Sequence, residues 1–389
     1  MREWKEYRFS DFAEVNPSVK IPKDQLVSFV EMKDLTDGQR FCKPSQERIL
    51  SGGSRFENGD TLFARITPCL ENGKICQVKG LKNGIGFGST EFHVLRGRST
   101  VSDSDFVYYL CRWSDVRDHA EKNFDGTSGR QRVPKQAFDD LYLKLPELPE
   151  QQSIASILSS LDDKIDLLHR QNATLEKMAE TLFRQWFVEE AKEDWEEISL
   201  YDAIELVGGG TPKTSVVEYW DGNIKWLSGG DIASNHKNFV VNSEKSITKL
   251  GLINSSAKLL PKFSTVISAR GTVGKYCILS EPMAYSQSNY GILPKFKDCF
   301  FFSYLLVSHS VEELQSAAYG SVFDTITTNT FKGITISLPV KETIIQFNES
   351  IKPYFLKILS NQTQIRTLTA LRDTLLLKLM SGEVRVEVE

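Results

Sequence analysis

Between Glu150 and Glu189 the apolar positions step alternately by four and three residues: Ile154, Leu158, Leu161, Ile165, Leu168, then Leu175, Ala179, Leu182 and Trp186. That is a heptad seam, and it predicts a long helix lying along a partner helix. Pro146 and Pro149 suit a loop running into its first turn. At 1.5 Å per residue, a helix of about forty residues would be roughly 60 Å long, a spacer more than a core element. A second, less regular seam runs through Ile351, Phe355, Ile358, Gln362, Ile365, Leu368, Leu375 and Leu379, with Arg372 where an apolar residue is expected. Pro353 lies inside it and predicts a kink or a fresh helix start. Each seam holds one polar residue, Asn172 and Gln362. Antiparallel pairing about the midpoints would bring these two within about a turn of each other. They read either as a buried pair fixing register or as two solvated points of the seam.

The pattern is duplicated. LEKMAETLF (Leu175–Phe183) is echoed by LTALRDTLL (Leu368–Leu376), and the stretches before the helices echo each other too. Phe29 to Asp34 (FVEMKD) aligns with Trp226 to Asp231 (WLSGGD). Gly59 to Arg65 (GDTLFAR), followed by Gly73-Lys74, aligns with Ser264 to Arg270 (STVISAR), followed by Gly274-Lys275. This alignment equates Arg65 with Arg270. Alternating LYLKL (Leu141–Leu145) and ITISL (Ile334–Leu338) read as strands leading into the helices. The expected fold class is α+β: two mixed α/β units in tandem, separated by two long antiparallel coiled-coil helices. The boundaries are 1–148 for the first unit and 149–190 for the central helix. The second unit spans 191–341, and the distal helix and C-terminal tail span 342–389.

Composition is that of a globular protein, 40% hydrophobic and 25% charged, with a net charge of −4. Residues 149–198 carry 5 basic and 12 acidic side chains, so the acidic excess sits on and just after the first long helix. No run of eighteen apolar residues and no signal-peptide core is present, which predicts a cytoplasmic chain with no membrane partner. The six cysteines form no CxxC pair, so reduced thiols are expected and no metal. Gly73-Lys74 and Gly274-Lys275 lack the preceding glycine of a P-loop, Gly84-x-Gly86-x-Gly88 stands alone, and there is no GxSxG or HExxH. The chain reads as non-catalytic.

The long helix, with LDDKIDLLHRQN from Leu161 and LFRQWF ending at Phe187, resembles the central helix of the DNA-specificity subunits of type I restriction–modification systems. Its approach fits as well: Gly126-Thr-Ser-Gly, Gln131 and Leu145-Pro-Glu-Leu-Pro-Glu-Gln151. So do Leu376 to Val384 (LLKLMSGEV), Gly209-Gly-Thr-Pro212, Tyr219 to Trp226 and Arg270-Gly-Thr-Val-Gly-Lys275. The first unit departs from the family pattern, with Arg65-Ile-Thr-Pro68 and a longer gap before Gly73-Lys74. The resemblance implies an adaptor with two target-recognition domains, each gripping half of a split, asymmetric site on double-stranded DNA. The helices would set the spacing and present surfaces to two methyltransferase (modification) subunits, with an ATP-dependent restriction subunit as a further partner. S-adenosylmethionine and ATP would bind those partners, leaving no cofactor on this chain.

Candidate DNA contacts are polar or basic residues on the repeated turns. Arg65 and Arg270 could fork onto guanine or clamp phosphate, and Lys74 and Lys275 suit phosphate. Arg130, Gln131 and Arg132 follow a Gly-rich turn. Gln287 and Asn289 could read adenine edges, and Thr211, Lys213, Ser228, Thr272 and Ser321 complete the set. Each also reads as an ordinary turn residue. Asp162, Asp163, Asp166 and Glu176 could meet a basic modification subunit, or form a solvated helix face. Two other readings stay open: the recognition subunit of another restriction type, and a coiled-coil scaffold with no role on DNA.

Overall fold

The computed structural model describes residues 3–22, 24–127, 129–319 and 324–387. The chain divides into two compact units, one of Met1–Leu168 with Gln364–Glu389 and one of His169–Thr363. Each therefore owns part of both long helices, Leu148–Arg184 and Lys341–Met380. Among the described residues no helix is long and apolar enough to cross a membrane.

In unit 1 a five-stranded sheet runs in the order Ala13–Val15, Phe92–Gly97, Thr61–Ala64, Ile75–Val78, Phe41–Cys42. Its neighbours are antiparallel except the last pair. A four-stranded sheet runs Gln46–Ile49, Leu26–Val30, Ile85–Gly88, Ser54–Glu57, with its two central strands parallel. Lys5–Arg8 pairs with Tyr142–Leu145 just before the central helix.

Unit 2 repeats every strand of these sheets in the same order and direction. Its five strands are Ile204–Gly208, Asn289–Pro294, Thr265–Ser268, Tyr276–Leu279 and Phe239–Val240. Its four are Lys245–Ile247, Trp220–Leu227, Met283–Tyr285 and Leu259–Leu260. Glu196–Ser199 pairs with Thr335–Leu338 before the distal helix. The duplication read from scattered motifs is thus a duplicated topology. Even a defect recurs: the Thr61 and Thr265 hydroxyls, at matching strand positions, are both buried without a hydrogen bond among the described residues.

The helix seams close the cores. In unit 1, Ile154 and Leu158 pack with Leu376, Leu379 and Met380 against Phe106, Leu110 and Phe138. In unit 2, Ala179, Phe183 and Phe187 pack with Phe347, Ile351 and Phe355, the Phe187 and Phe347 rings standing 4.8 Å apart and perpendicular. Within each unit, then, the helical segments run antiparallel, as expected. One expectation narrows and another needs correction. Of the kink or fresh start expected at Pro353, the fresh start falls away, because the distal helix runs unbroken through it. The polar partner of Asn172 is Asn361, whose Nδ2 donates to Asn172 Oδ1 at 2.8 Å, whereas Gln362 reaches Asn238 at 2.9 Å. The neighbouring residue faces the seam, a rotation of about 100°.

Arg372, the misfit of the distal seam, is buried on purpose. Its Nη1 donates to Asp162 Oδ1 at 2.7 Å and to the Gly38 carbonyl at 2.9 Å, and Tyr109 Oη donates to Asp162 Oδ2 at 2.7 Å. Both charged side chains are 3% exposed. Removing one partner strands the other charge out of water, at a cost of about 3–5 kcal/mol. Arg372→Met should therefore lower the urea midpoint sharply, and Asp162→Leu with Arg372→Met should recover much of the loss. Equal midpoints for the single and double variants would show that the two charges are not coupled.

Candidate nucleic-acid interface

The parallel strand pair of each four-stranded sheet ends at a shared rim. In unit 1, Leu26–Val30 runs into Glu31, and Ser89 N donates to Val30 O at 3.3 Å. In unit 2, Trp220–Leu227 runs into Ser228, and Ser286 N donates to Leu227 O at 2.9 Å. Asp34 accepts from Glu31 N at 2.7 Å and Asp231 from Ser228 N at 2.8 Å. The match of FVEMKD with WLSGGD is therefore residue for residue.

The second motif match slips by one. Ala64 N donates to Lys74 O and Ser268 N to Lys275 O, so Ala64 corresponds to Ser268 and the two lysines to each other. Arg65 N donates to Glu91 O at 2.9 Å, and Ala269 N to Ser288 O at 3.0 Å. Val133 N donates to Arg65 O at 2.7 Å, and Ile326 N to Ala269 O at 3.0 Å. Arg65 thus corresponds to Ala269, and Arg270 to Ile66. In extended backbone a one-residue offset turns side chains to opposite faces. Arg65 is half-buried, with its Nε buried and unpartnered among the described residues, whereas Arg270 is exposed. The expected equivalence of these two arginines does not hold.

In unit 1 the rim gathers Arg65, Arg130, Gln131 and Arg132. Gln131 is tied by its backbone, its amide to Thr67 Oγ1 at 3.2 Å and its carbonyl to Thr67 N at 3.0 Å. Arg130 is exposed. Arg132 grips Glu91 through Nε and Nη2 at 2.7–3.1 Å. The Lys74 ammonium is turned to the Met32 carbonyl at 2.7 Å, which braces the rim's short turn. His93 holds the rim from beneath, with Nε2 2.8 Å from Val133 O. Only a protonated Nε2 can bond that carbonyl. Burial drops the ring's pKa to about 4, so it stays neutral near pH 7.

In unit 2 the rim gathers Thr211, Ser228, Arg270, Thr272, Gln287 and Asn289. Arg270, Thr272 and Gln287 are exposed. Thr272 Oγ1 lies 3.0 Å from Ser268 Oγ, and Thr211 Oγ1 accepts from Gln287 N at 3.5 Å. Ser228 spends its hydroxyl capping the helix Gly229–Ser234. Asn289 is 1% exposed and donates to Ser286 Oγ at 2.7 Å, so it supports the loop and offers no edge to a base. Lys213 is exposed and Lys275 half-buried. Ser321 lies outside the described residues. Glu91, His93, Ser288 and Thr325 were not singled out by sequence, because they belong to no motif and acquire neighbours only when distant loops meet.

The acidic stretch of the central helix divides. Asp162 is buried against Arg372 and is not presented to a partner, a correction to the expected acidic surface. Asp163 and Asp166 are exposed. Glu176 is half-buried, and burial, aided by the nearby Glu180, pushes its pKa up to about 7. The exposed apolar residues Ile157, Leu167 and Met178 share the helix surface with them.

The model for the type I restriction modification DNA specificity domain matches this chain twice, over residues 1–177 and 192–373. The chain belongs to that family. Specificity subunits are non-catalytic DNA-recognition subunits, and the two rims lie one in each target-recognition domain. This specificity subunit is 24% identical to the HindI specificity subunit of Haemophilus influenzae, over 99% of this chain and all of that one. It is 23% identical to the MjaIX specificity subunit of Methanocaldococcus jannaschii, over 99% and 94%. A higher identity, 32% to the EcoAI specificity subunit of Escherichia coli, spans half of this chain and 36% of that one. The crystal structure of the S subunit from M. genitalium shares the fold, with a TM-score of 0.60 at 14% identity over 97% of this chain and 96% of that one.

Glu176 gives the specificity subunit a pH signature. A carboxyl raised from 4.5 to about 7 on folding binds its proton more tightly in the folded state. Its contribution is therefore complete below pH 4.5 and is lost as pH rises through 7. Allowing for its exposed side, Glu176→Gln should raise stability by about 1–2 kcal/mol at pH 8 and change little at pH 4. Urea midpoints at both values check this, and equal effects at the two would show that Glu176 titrates normally.

Proposed function

We propose that each target-recognition domain reads one half of a split, asymmetric DNA site, while the long helices fix the distance between the halves and dock two modification subunits. Those subunits would carry S-adenosylmethionine and methylate the target, and an ATP-dependent restriction subunit would join them. The observation that carries this reading is the duplication itself. One topology occurs twice in one chain, with matching backbone rims and different side chains on them. That is the arrangement expected of two readers with different targets.

Arg270 on the second rim is well placed to meet the duplex, with its charge exposed at the end of a rigid strand. The docking reading rests less on the acidic stretch than on exposed apolar side chains of the two helices. Ile157, Leu167 and Met178 stand on the central helix, and Leu356, Leu371 and Leu377 on the distal one.

The deciding experiment is a single-molecule methylation map of the source genome with this gene intact and deleted. Deletion should abolish one split motif, and an unchanged map in cells that make the complex would refute the reading. In the reconstituted complex, Arg270→Ala should weaken binding roughly ten-fold or more and flatten the salt dependence by about one phosphate or spoil one motif position. An unaltered affinity and motif would remove Arg270 from the interface.

A further inference from the structure

The two rims differ in chemistry at a pair of positions made equivalent by the backbone. Glu91 corresponds to Ser288, since each lends its carbonyl to the residue that follows the strand, Arg65 or Ala269. Arg132 corresponds to Thr325, since each precedes the residue, Val133 or Ile326, whose amide closes on that same strand end. Unit 1 thus holds a carboxylate–guanidinium pair where unit 2 holds two hydroxyls.

The pair is held with unusual firmness for a surface group. Arg132 N donates to Asp125 O at 2.8 Å, Asp125 N donates back to Arg132 O at 3.0 Å, and Arg132 bridges Ile66 across the strand end. His93 pins the next residue. Of the five N–H bonds of the guanidinium, Nε and Nη2 each give one to Glu91, and Nη1 gives one to the Arg130 carbonyl at 3.2 Å. Two remain, one on each terminal nitrogen. The Arg132 side chain is 43% exposed and that of Glu91 23%.

Two donors, one on each terminal nitrogen of a fixed plane, suit the O6 and N7 acceptors that guanine shows in the major groove. A phosphate contact gains most from net positive charge, which Glu91 offsets at Arg132 while leaving the guanidinium plane in place, so the remaining donors suit a base edge better than a phosphate. We propose that Arg132 reads a guanine in the half-site gripped by the first target-recognition domain, with Glu91 as its positioning residue. Ser288 and Thr325 give the second domain a different requirement at the matching place. This rests on the DNA-reading role proposed above.

The test uses the reconstituted complex with its modification subunits and a plasmid library randomised over the wild-type methylation motif. Arg132→Lys keeps the charge but loses the fork, and Glu91→Gln keeps a hydrogen bond but loses the clamp. Each should cut the preference for one G·C pair in one half-site by about ten-fold or more. Glu91→Ser with Arg132→Thr should do the same at the same position. Selectivity over the other half-site should stay at its wild-type value in all three, which also reports that the chain is folded. Weakening that is uniform over all sequences would overturn the proposal in favour of a phosphate contact or a structural brace, and an unmoved motif would overturn it outright. A wild-type complex that methylates no split motif would sink the parent reading, and this one with it.

Discussion

Neither target-recognition domain completes its core without the long helices. Each buries the inner face of its sheet and short helices against two helical segments drawn from distant parts of the chain. Apolar burial is the main favourable term in folding, so loss of either segment would open a core. The helices are for that reason part of each domain's interior as well as a link in the chain. The buried Asp162–Arg372 pair follows from this dependence, since a charge in such a seam is tolerated only with its partner present and its remaining acceptors filled.

The seam also explains which parts of the fold were legible in sequence. Heptad spacing is a long, regular signal, and both helices could be read from it, while the duplication was read from the echoed motifs. Pro353 starts no new helix because a proline inside a helix can be accommodated when packing on Ile351 and Phe355 holds the turn on either side. The polar partner of Asn172 was missed by one residue. Periodicity fixes which turn of a helix meets its mate more firmly than which of two adjacent polar side chains faces inward.

The rims were less legible. The Gly-Asp-Thr and Ser-Thr-Val stretches align well as letters, yet the hydrogen bonds of Ala64 and Ser268 shift the match by one. Similar residues can slide along a strand without changing its hydrophobic character, and only the ladder shows the shift. Glu91 had no signal at all. Its importance comes from facing Arg132, forty-one residues away in sequence, once three loops converge. Thus a motif scan found the strand-end arginines but not the carboxylate that orients one of the rim guanidinium groups.

Membership of the last residues in the first unit has a consequence for synthesis. Residues 364–389 pack with residues 1–168, while residues 169–363 form the other unit. On a ribosome adding roughly 5–20 residues per second, the N-terminal part would wait about 10–40 seconds for its missing helix. The unit translated first is therefore the one finished last. During that interval the face destined for Leu376, Leu379 and Met380 stands uncovered, and the second unit matures ahead of the first.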